Sequence, residues 1–307
     1  MTLDLSLPTA HDDSKAPGKT SKWLAAVPMA FLSFTVGIPL IIIFVYSFLA
    51  RPSMGVGVIW KLDFTHYVKI FVQDKLDGTR SFDTRYLKVI WNSFFYSGLT
   101  TVGTLVLAIP VALWIATRDP RKRILLVFLV TLPFWTSILI RTYAIRQLLD
   151  EKGVLGKIAT TLGFSDNFQI LYTPTSTIIG LVYTFLPFMI LPIYASAERF
   201  DFRFAEAGFD LGARKMTVLF RIVLPQIAPG IIAGIALVFI PGLGSFLQPD
   251  MLGGGKTNMI ANVVANNYGQ ARNWPFGSAL SVLLCLITLV ATLMISIAAR
   301  KRKEAKV

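Results

Sequence analysis

The chain has 307 residues, of which 54% are hydrophobic and only 15% charged, with a formal net charge of +13. Soluble domains carry about 25% charged residues, so this balance excludes an ordinary soluble domain and points to a membrane protein. A single cysteine, Cys285, and two histidines, His11 and His66, exclude an internal disulfide and a histidine-based metal site.

A helix crosses roughly 30 Å of hydrocarbon in about 20 residues. Six apolar runs reach that length in chain order: 23–49, 89–116, 124–148, 176–197, 227–247 and 277–299. No Asp or Glu falls in their interiors. The runs predict an all-α integral membrane protein, a six-helix domain over 23–299 between a polar tail, 1–22, and a basic tail, 300–307. The first run is too long for a signal-peptide core and reads as an uncleaved anchor.

Orientation follows Lys and Arg near span ends. They cluster in the tail 1–22, in "RDPRKR" (118–123), in the 198–225 connection and in "RKRKEAK" (300–306). All four segments, and so both termini, are expected in the cytoplasm. The excess positive charge then reflects topology and anionic lipid rather than nucleic acid, because the clusters adjoin the spans.

On the outer side, 51–88 is long enough for one or two surface helices such as 64–73. In 151–164, Val154, Leu155, Ile158 and Leu162 share one helical face, which predicts a helix along the membrane surface. Arg141, near the outer end of the third span, is expected to pair with an acid or to reach headgroups. The fifth span holds Pro229, Pro241, Gly230, Gly234, Gly242 and Gly244. Two explanations stand, close helix packing through small residues and a kinked helix lining a path. Beyond it, "DMLGGGKTN" (250–258) ends in Gly-Lys-Thr as a phosphate-cradling loop does. That loop needs a glycine where Asp250 stands and a strand before it, so the stretch reads as an outer turn.

The 198–225 connection, "ERFDFRFAEAGFDLGARKMTVLFRIVLP", carries many apolar rings among its charges. Asp201 is a plausible N-cap, Gly212 allows a sharp bend, a second short helix starts near Ala213, and Pro225 marks the return to the membrane. A helix, a bend and a helix with an aromatic surface suit docking into a groove of a partner.

Here the sequence resembles a known family. Glu206-Ala207-Gly208, Gly212, and then Ile222, Leu224 and Pro225 look like the EAA motif of ABC importer permeases, with Gly208 where the family has a second alanine. "LPFWTSILIRTYA" (132–144), "IIGLVYTFLPFMILPIY" (178–194), "PDMLGGGKTNMIANVV" (249–264) and "RNWPFGSALS" (272–281) resemble segments of spermidine/putrescine importer permeases. Asn273 stands where that family often shows Asp.

The resemblance implies a type I ABC importer permease-like fold in the bacterial inner membrane. It implies two partner ATPase subunits that use ATP and Mg, a second and different permease, and an extracytoplasmic polyamine-binding protein. The chain itself would be non-catalytic and bind no cofactor or metal, and the 198–225 loop would be the coupling helix, with Glu206 transmitting ATPase motion. Aromatic faces hold ammonium groups by cation–π attraction, so Trp135, Tyr143, Tyr183 and Trp274 are candidates for the substrate path, with Asp250 as its outer acid. Taken singly, packing or an interfacial aromatic belt is the favoured account of each ring, and a solvated loop acid accounts equally well for Asp250. The alternatives are a permease for another small solute, such as an opine, an aminoethylphosphonate or a related amine, and a proton-coupled secondary transporter. The last would place an acid inside the membrane.

Overall fold

The computed structural model describes residues 19–53, 55–74, 80–161 and 169–304. The expectations for His11 and the first 18 residues, for Leu162 and for 305–307 lie outside these. The chain runs through α1 (Lys19–Tyr46), β1 (Leu49–Ala50), β2 (Ile59–Leu62), α2 (Thr65–Val68), β3 (Val72–Asp74), β4 (Arg80–Phe82) and α3 (Arg85–Ala116). Next come α4 (Pro120–Thr131), a 3-10 turn (Leu132–Trp135), α5 (Ile138–Leu149), α6 (Val154–Thr161) and α7 (Pro174–Glu198). The remainder is α8 (Arg203–Asp210), α9 (Lys215–Val218), a π-helical turn (Leu219–Val223), α10 (Leu224–Leu243), α11 (Leu247–Gly253), α12 (Ile260–Tyr268) and α13 (Trp274–Glu304).

Five helices are long and apolar enough to cross a membrane, and a sixth span follows if the bent pair Pro120–Trp135 and Ile138–Ile158 counts as one. The expected third span is thus broken, its halves meeting at 93°. Pro133 has no N–H to continue an α-helix, the chain tightens into the 3-10 turn, and Thr136 (ψ 146°) and Ser137 (ψ 137°) are extended before α5 starts.

The outer segment also departs from expectation. Of the predicted helix 64–73 only Thr65–Val68 forms, as the single turn α2 whose first N–H is taken by Asp63 Oδ1 at 2.9 Å, and Val72 and Gln73 instead join strand β3; the antiparallel pairs β1–β2 and β3–β4 flank that turn. The predicted surface helix is found as α6, with Val154, Leu155 and Ile158 exposed.

The core lies where α3, α7 and α10 pack, with Ile115, Leu181, Met189, Ile193, Ile227 and Val238 buried. No residue in the apolar window of α1 is buried, so that helix offers its side chains to lipid or to another chain. Since lipid is as apolar as leucine, span association depends on close contact and hydrogen bonds. Buried Thr101 and Thr104 accordingly donate back to the carbonyls of Ser97 (2.7 Å) and Thr100 (2.9 Å), which keeps their hydroxyls satisfied inside the bundle.

The glycines of α10 settle as close packing. A Cβ on Gly230 would collide with the Pro192 carbonyl and Ser196 Oγ of α7, one on Gly234 would lie 2.6 Å from Met189 Sδ, and one on Gly242 would lie 3.3 Å from Ser97 Oγ. The helix runs unbroken from Leu224 to Leu243.

His66, only 3% exposed, ties this outer layer together. Its Nε2–H donates to the Leu49 carbonyl at 3.1 Å, while Nδ1 is buried without a partner among the described residues. Burial holds its pKa below the ordinary histidine value, against the opposing effects of the Leu49 hydrogen bond and Asp63. A lowered folded-state pKa means that the unfolded chain binds the proton more readily, so the stability that rests on neutral His66 is full above about pH 6.5 and is lost as pH falls below it. Thermal unfolding followed between pH 7 and 5 is expected to show a smaller acid loss in His66→Gln, which retains a donor for Leu49, than in the parent protein.

Candidate functional site

Two regions at opposite ends of the bundle carry the candidate coupling residues and Asp250. The first is α8. Asp201 Oδ1 accepts the Arg203 N–H at 3.0 Å, so its carboxylate does cap the helix, although the helix boundary falls one residue later than expected, with Phe202 as the flanking residue. At the other end, Gly212 adopts φ +79°, the left-handed region that favours glycine. The Gly212 N–H bonds to the Phe209 carbonyl (2.8 Å) and the Ala213 N–H to the Gly208 carbonyl (3.0 Å). Together these bonds close the helix in a Schellman motif.

One face of α8 is seated and the other is free. Ala205 and Gly208 are buried, and a Cβ on Gly208 would lie 2.8 Å from Ile222 Cδ1 and 3.3 Å from Val218 Cγ2. A residue this small lets α8 rest on the π-helical turn, and because Ile222 Cδ1 is the end of a flexible side chain, alanine fits there as well. Ile222 and Leu224 pack against the core as partly buried residues. Glu206 and Ala207 are exposed, and the Glu206 carboxylate makes no hydrogen bond or ion pair among the described residues. Phe204, Phe209, Leu211, Met216 and Phe220 are exposed around it, Leu211 at 88%.

Pro225 stands in the first turn of α10, with no break before it. From Lys215 to Leu243 the chain is continuous helix, and the wider turn at Leu219–Val223 precedes the proline that has no N–H to give. The apolar helix of the fifth span therefore begins inside the connection, and α8 packs against its π-helical turn.

The second region is at the far end, around α11 and α12. Leu252, in α11, accepts from the Tyr172 N–H at 2.9 Å and from Ser176 Oγ at 2.7 Å. Gln248 Nε2 donates to Thr184 Oγ1 of α7 at 3.1 Å and its Oε1 accepts from Ser245 at 2.7 Å, so this buried amide is satisfied on both sides. A Cβ on Gly180 would collide with Leu252. In effect α11 is fastened to α7, and it carries Asp250 in its first turn. No strand precedes Asp250, which agrees with the exclusion of a phosphate loop.

Asp250 lies in a cleft of about 340 Å³ with Phe246, Asn258, Asn262, Asn266 and Gln270. The four amides recur every fourth residue; Asn262 and Asn266 share one side of α12 by that spacing, and Asn258 and Gln270 flank the helix and face the same cleft. That spacing was legible in "NMIANVVANNYGQ" (258–270), and it is the signal by which a sequence reading could have found them.

None of the four candidate aromatics lines this cleft. Trp135 is 81% exposed at the break of the third span, and Tyr183 is exposed on α7. Tyr143 lines a separate groove with Arg146, Gln147 and Asp150. Trp274 stands 6.5 Å from both Tyr46 and Tyr268, ring centre to ring centre. Arg141 finds no acid among the described residues; it lies over the Phe134 ring at 5.8 Å, with Nε and Nη1 buried and unpartnered. Asn273 accepts the Phe276 N–H at 3.4 Å and so caps α13, a task that Asp and Asn perform alike. No group of three or more His, Cys, Asp or Glu able to hold a metal occurs among the described residues.

Residues 86–304 match the family of binding-protein-dependent transport system inner membrane components. The spermidine/putrescine transport system permease protein PotB of Haemophilus influenzae is 39% identical over 270 residues, 88% of this chain and 90% of its own. PotB of Escherichia coli is 39% identical over 235 residues, 76% of this chain and 85% of its own. A chain in the crystal structure of a bacterial alginate ABC transporter, in complex with alginate pentasaccharide-bound periplasmic protein, shares the fold with TM-score 0.66 over 91% of this chain and 94% of its own, at 18% identity. With five or six apolar spans and a matched region that runs from α3 to α13, the chain belongs to the binding-protein-dependent transport system inner membrane component family and is a transport permease rather than an enzyme.

Proposed function

We propose that this permease is a subunit of an ATP-driven importer that takes up polyamines such as spermidine and putrescine, with both termini and α8 in the cytoplasm. The observation that carries the coupling role is the free face of α8. An unpaired carboxylate, Glu206, stands among exposed aromatic and aliphatic side chains on a helix that is itself locked to the bundle. Such a surface fits a groove of a partner. The partners in this reading are two ATPase subunits that bind ATP and Mg, a second permease, and an extracytoplasmic polyamine-binding protein.

The path of force follows from the packing. Closure of the ATPases on ATP would displace α8, which rests through Gly208 on Val218 and Ile222 of the helix that continues into α10. Through Gly230 and Gly234 α10 is in contact with α7, and α7 holds α11 by Gln248 and Leu252. Displacement of α8 would then reach the cleft at the other end of the bundle as a movement of packed helices.

The polyamine assignment is supported by identity to the two PotB proteins over most of both chains and by a cleft that no Lys or Arg side chain lines. Ligand binding to the cognate binding protein, measured by calorimetry, tests it. Sub-micromolar affinity for a polyamine is the expected result, and a preference for a non-amine solute would overturn the assignment.

A further inference from the structure

The cleft between α11 and α12 has an unusual balance of used and unused polar groups. Asn262 is committed to the fold, since its Oδ1 accepts the Met259 N–H at 3.3 Å and its Nδ2 donates to the Phe246 carbonyl at 2.8 Å. The Asp250 carboxylate and the side-chain amides of Asn258, Asn266 and Gln270 make no hydrogen bond among the described residues, and they face the same space as the half-exposed Phe246 ring. The α11–α7 hydrogen bonds hold Asp250 in place from behind.

One fixed carboxylate, an aromatic face and three amide oxygens, with no cationic side chain in the lining, form a set of acceptors. An ammonium group needs acceptors for each N–H and a negative or π surface for its charge, and a cleft of about 340 Å³ falls in the range of small-ligand sites, roughly 300–1,000 Å³. We propose that Phe246, Asp250, Asn258, Asn266 and Gln270 form a subsite that takes a protonated alkyl amine, with Asp250 as its counter-charge and the amide oxygens of Asn258, Asn266 and Gln270 as neutral acceptors. This rests on the polyamine reading and adds to it the place where the cation first meets the permease.

The test uses the assembled importer in membrane vesicles, with Cys285→Ser to clear this chain of thiols and Asn266→Cys placed in the cleft. Modification of that thiol by a trimethylammonium methanethiosulfonate is compared with modification by its sulfonate counterpart. The cationic reagent is expected to react faster by on the order of tenfold, Asp250→Asn is expected to remove most of that ratio, and free spermidine or putrescine is expected to slow the reaction only when Asp250 is present. A ratio insensitive to Asp250→Asn, or a reaction that neither diamine nor triamine slows, overturns the proposal. Gln270→Cys is measured in parallel, and a failure of both thiols to react means that the cleft is closed to the outer solution, which overturns it too. Should the binding protein select a non-amine while the cleft still shows Asp250-dependent protection by diamines, the polyamine reading fails and the amine subsite stands. Should the binding protein select polyamines while protection is absent, the subsite fails and the polyamine reading stands.

Discussion

Glu206→Lys is expected to abolish most uptake, by tenfold or more, while the protein still inserts in the membrane and assembles with its neighbours. Its carboxylate is exposed and has no partner among the described residues, so the described fold loses no bond when it goes, and the early turns of α8 lose only a favourable helix-dipole contact. What changes is the sign of charge presented to the partner surface, where a reversed charge weakens association and disturbs register. Transport of labelled polyamine into cells, ATP hydrolysis by the purified complex and the amount of permease in the membrane should be read together. Normal uptake would remove Glu206 from the coupling role, and a protein missing from the membrane would show that the residue serves folding instead. Glu206→Gln, which retains shape and hydrogen bonding, should fall between the two.

Gly230→Leu is expected to have the largest effect on stability. Gly230 meets the backbone carbonyl of Pro192 as well as Ser196 Oγ, and a backbone atom in the middle of a packed helix does not rotate out of the way. Inserting a side chain forces α10 and α7 apart, at a cost of about 1–3 kcal/mol or more, and opens the contact through which α8 is linked to α11. Gly37→Leu is the matched control, because a Cβ at Gly37 meets nothing within 4 Å and α1 presents its sides outward. Thermal unfolding of the detergent-solubilised protein should show Gly230→Leu well below the parent and Gly37→Leu close to it. Equal behaviour of the two variants would mean that the α7–α10 crossing is not close-packed as described.

The spans were readable because hydrocarbon imposes a length and an apolar composition on any helix that crosses it. The bend at Gly212 was readable for a similarly local reason, since few other residues adopt a positive φ without cost. Local rules failed where a neighbour decides the outcome. Pro133 and Pro225 look alike in sequence, yet one ends a helix at a 93° break and the other is absorbed behind a π-helical turn. The outer segment 64–73 has the composition of a helix, but the helix stops after the one turn Thr65–Val68, and Val72 and Gln73 pair with β4 instead.

The apolar spans, the kinship and the helix–bend–helix with exposed rings around α8 could all be read from the order of residues, because each depends on composition or spacing within one stretch of chain. The role of the fifth-span glycines, the fastening of α11 to α7 through Gln248, and the company Asp250 shares with four amides and a phenyl ring emerge from packing. The first two join residues far apart in the chain through the close approach of α7 to α10 and α11, and the third depends on how α11 and α12 fold beside each other, which no single helix specifies.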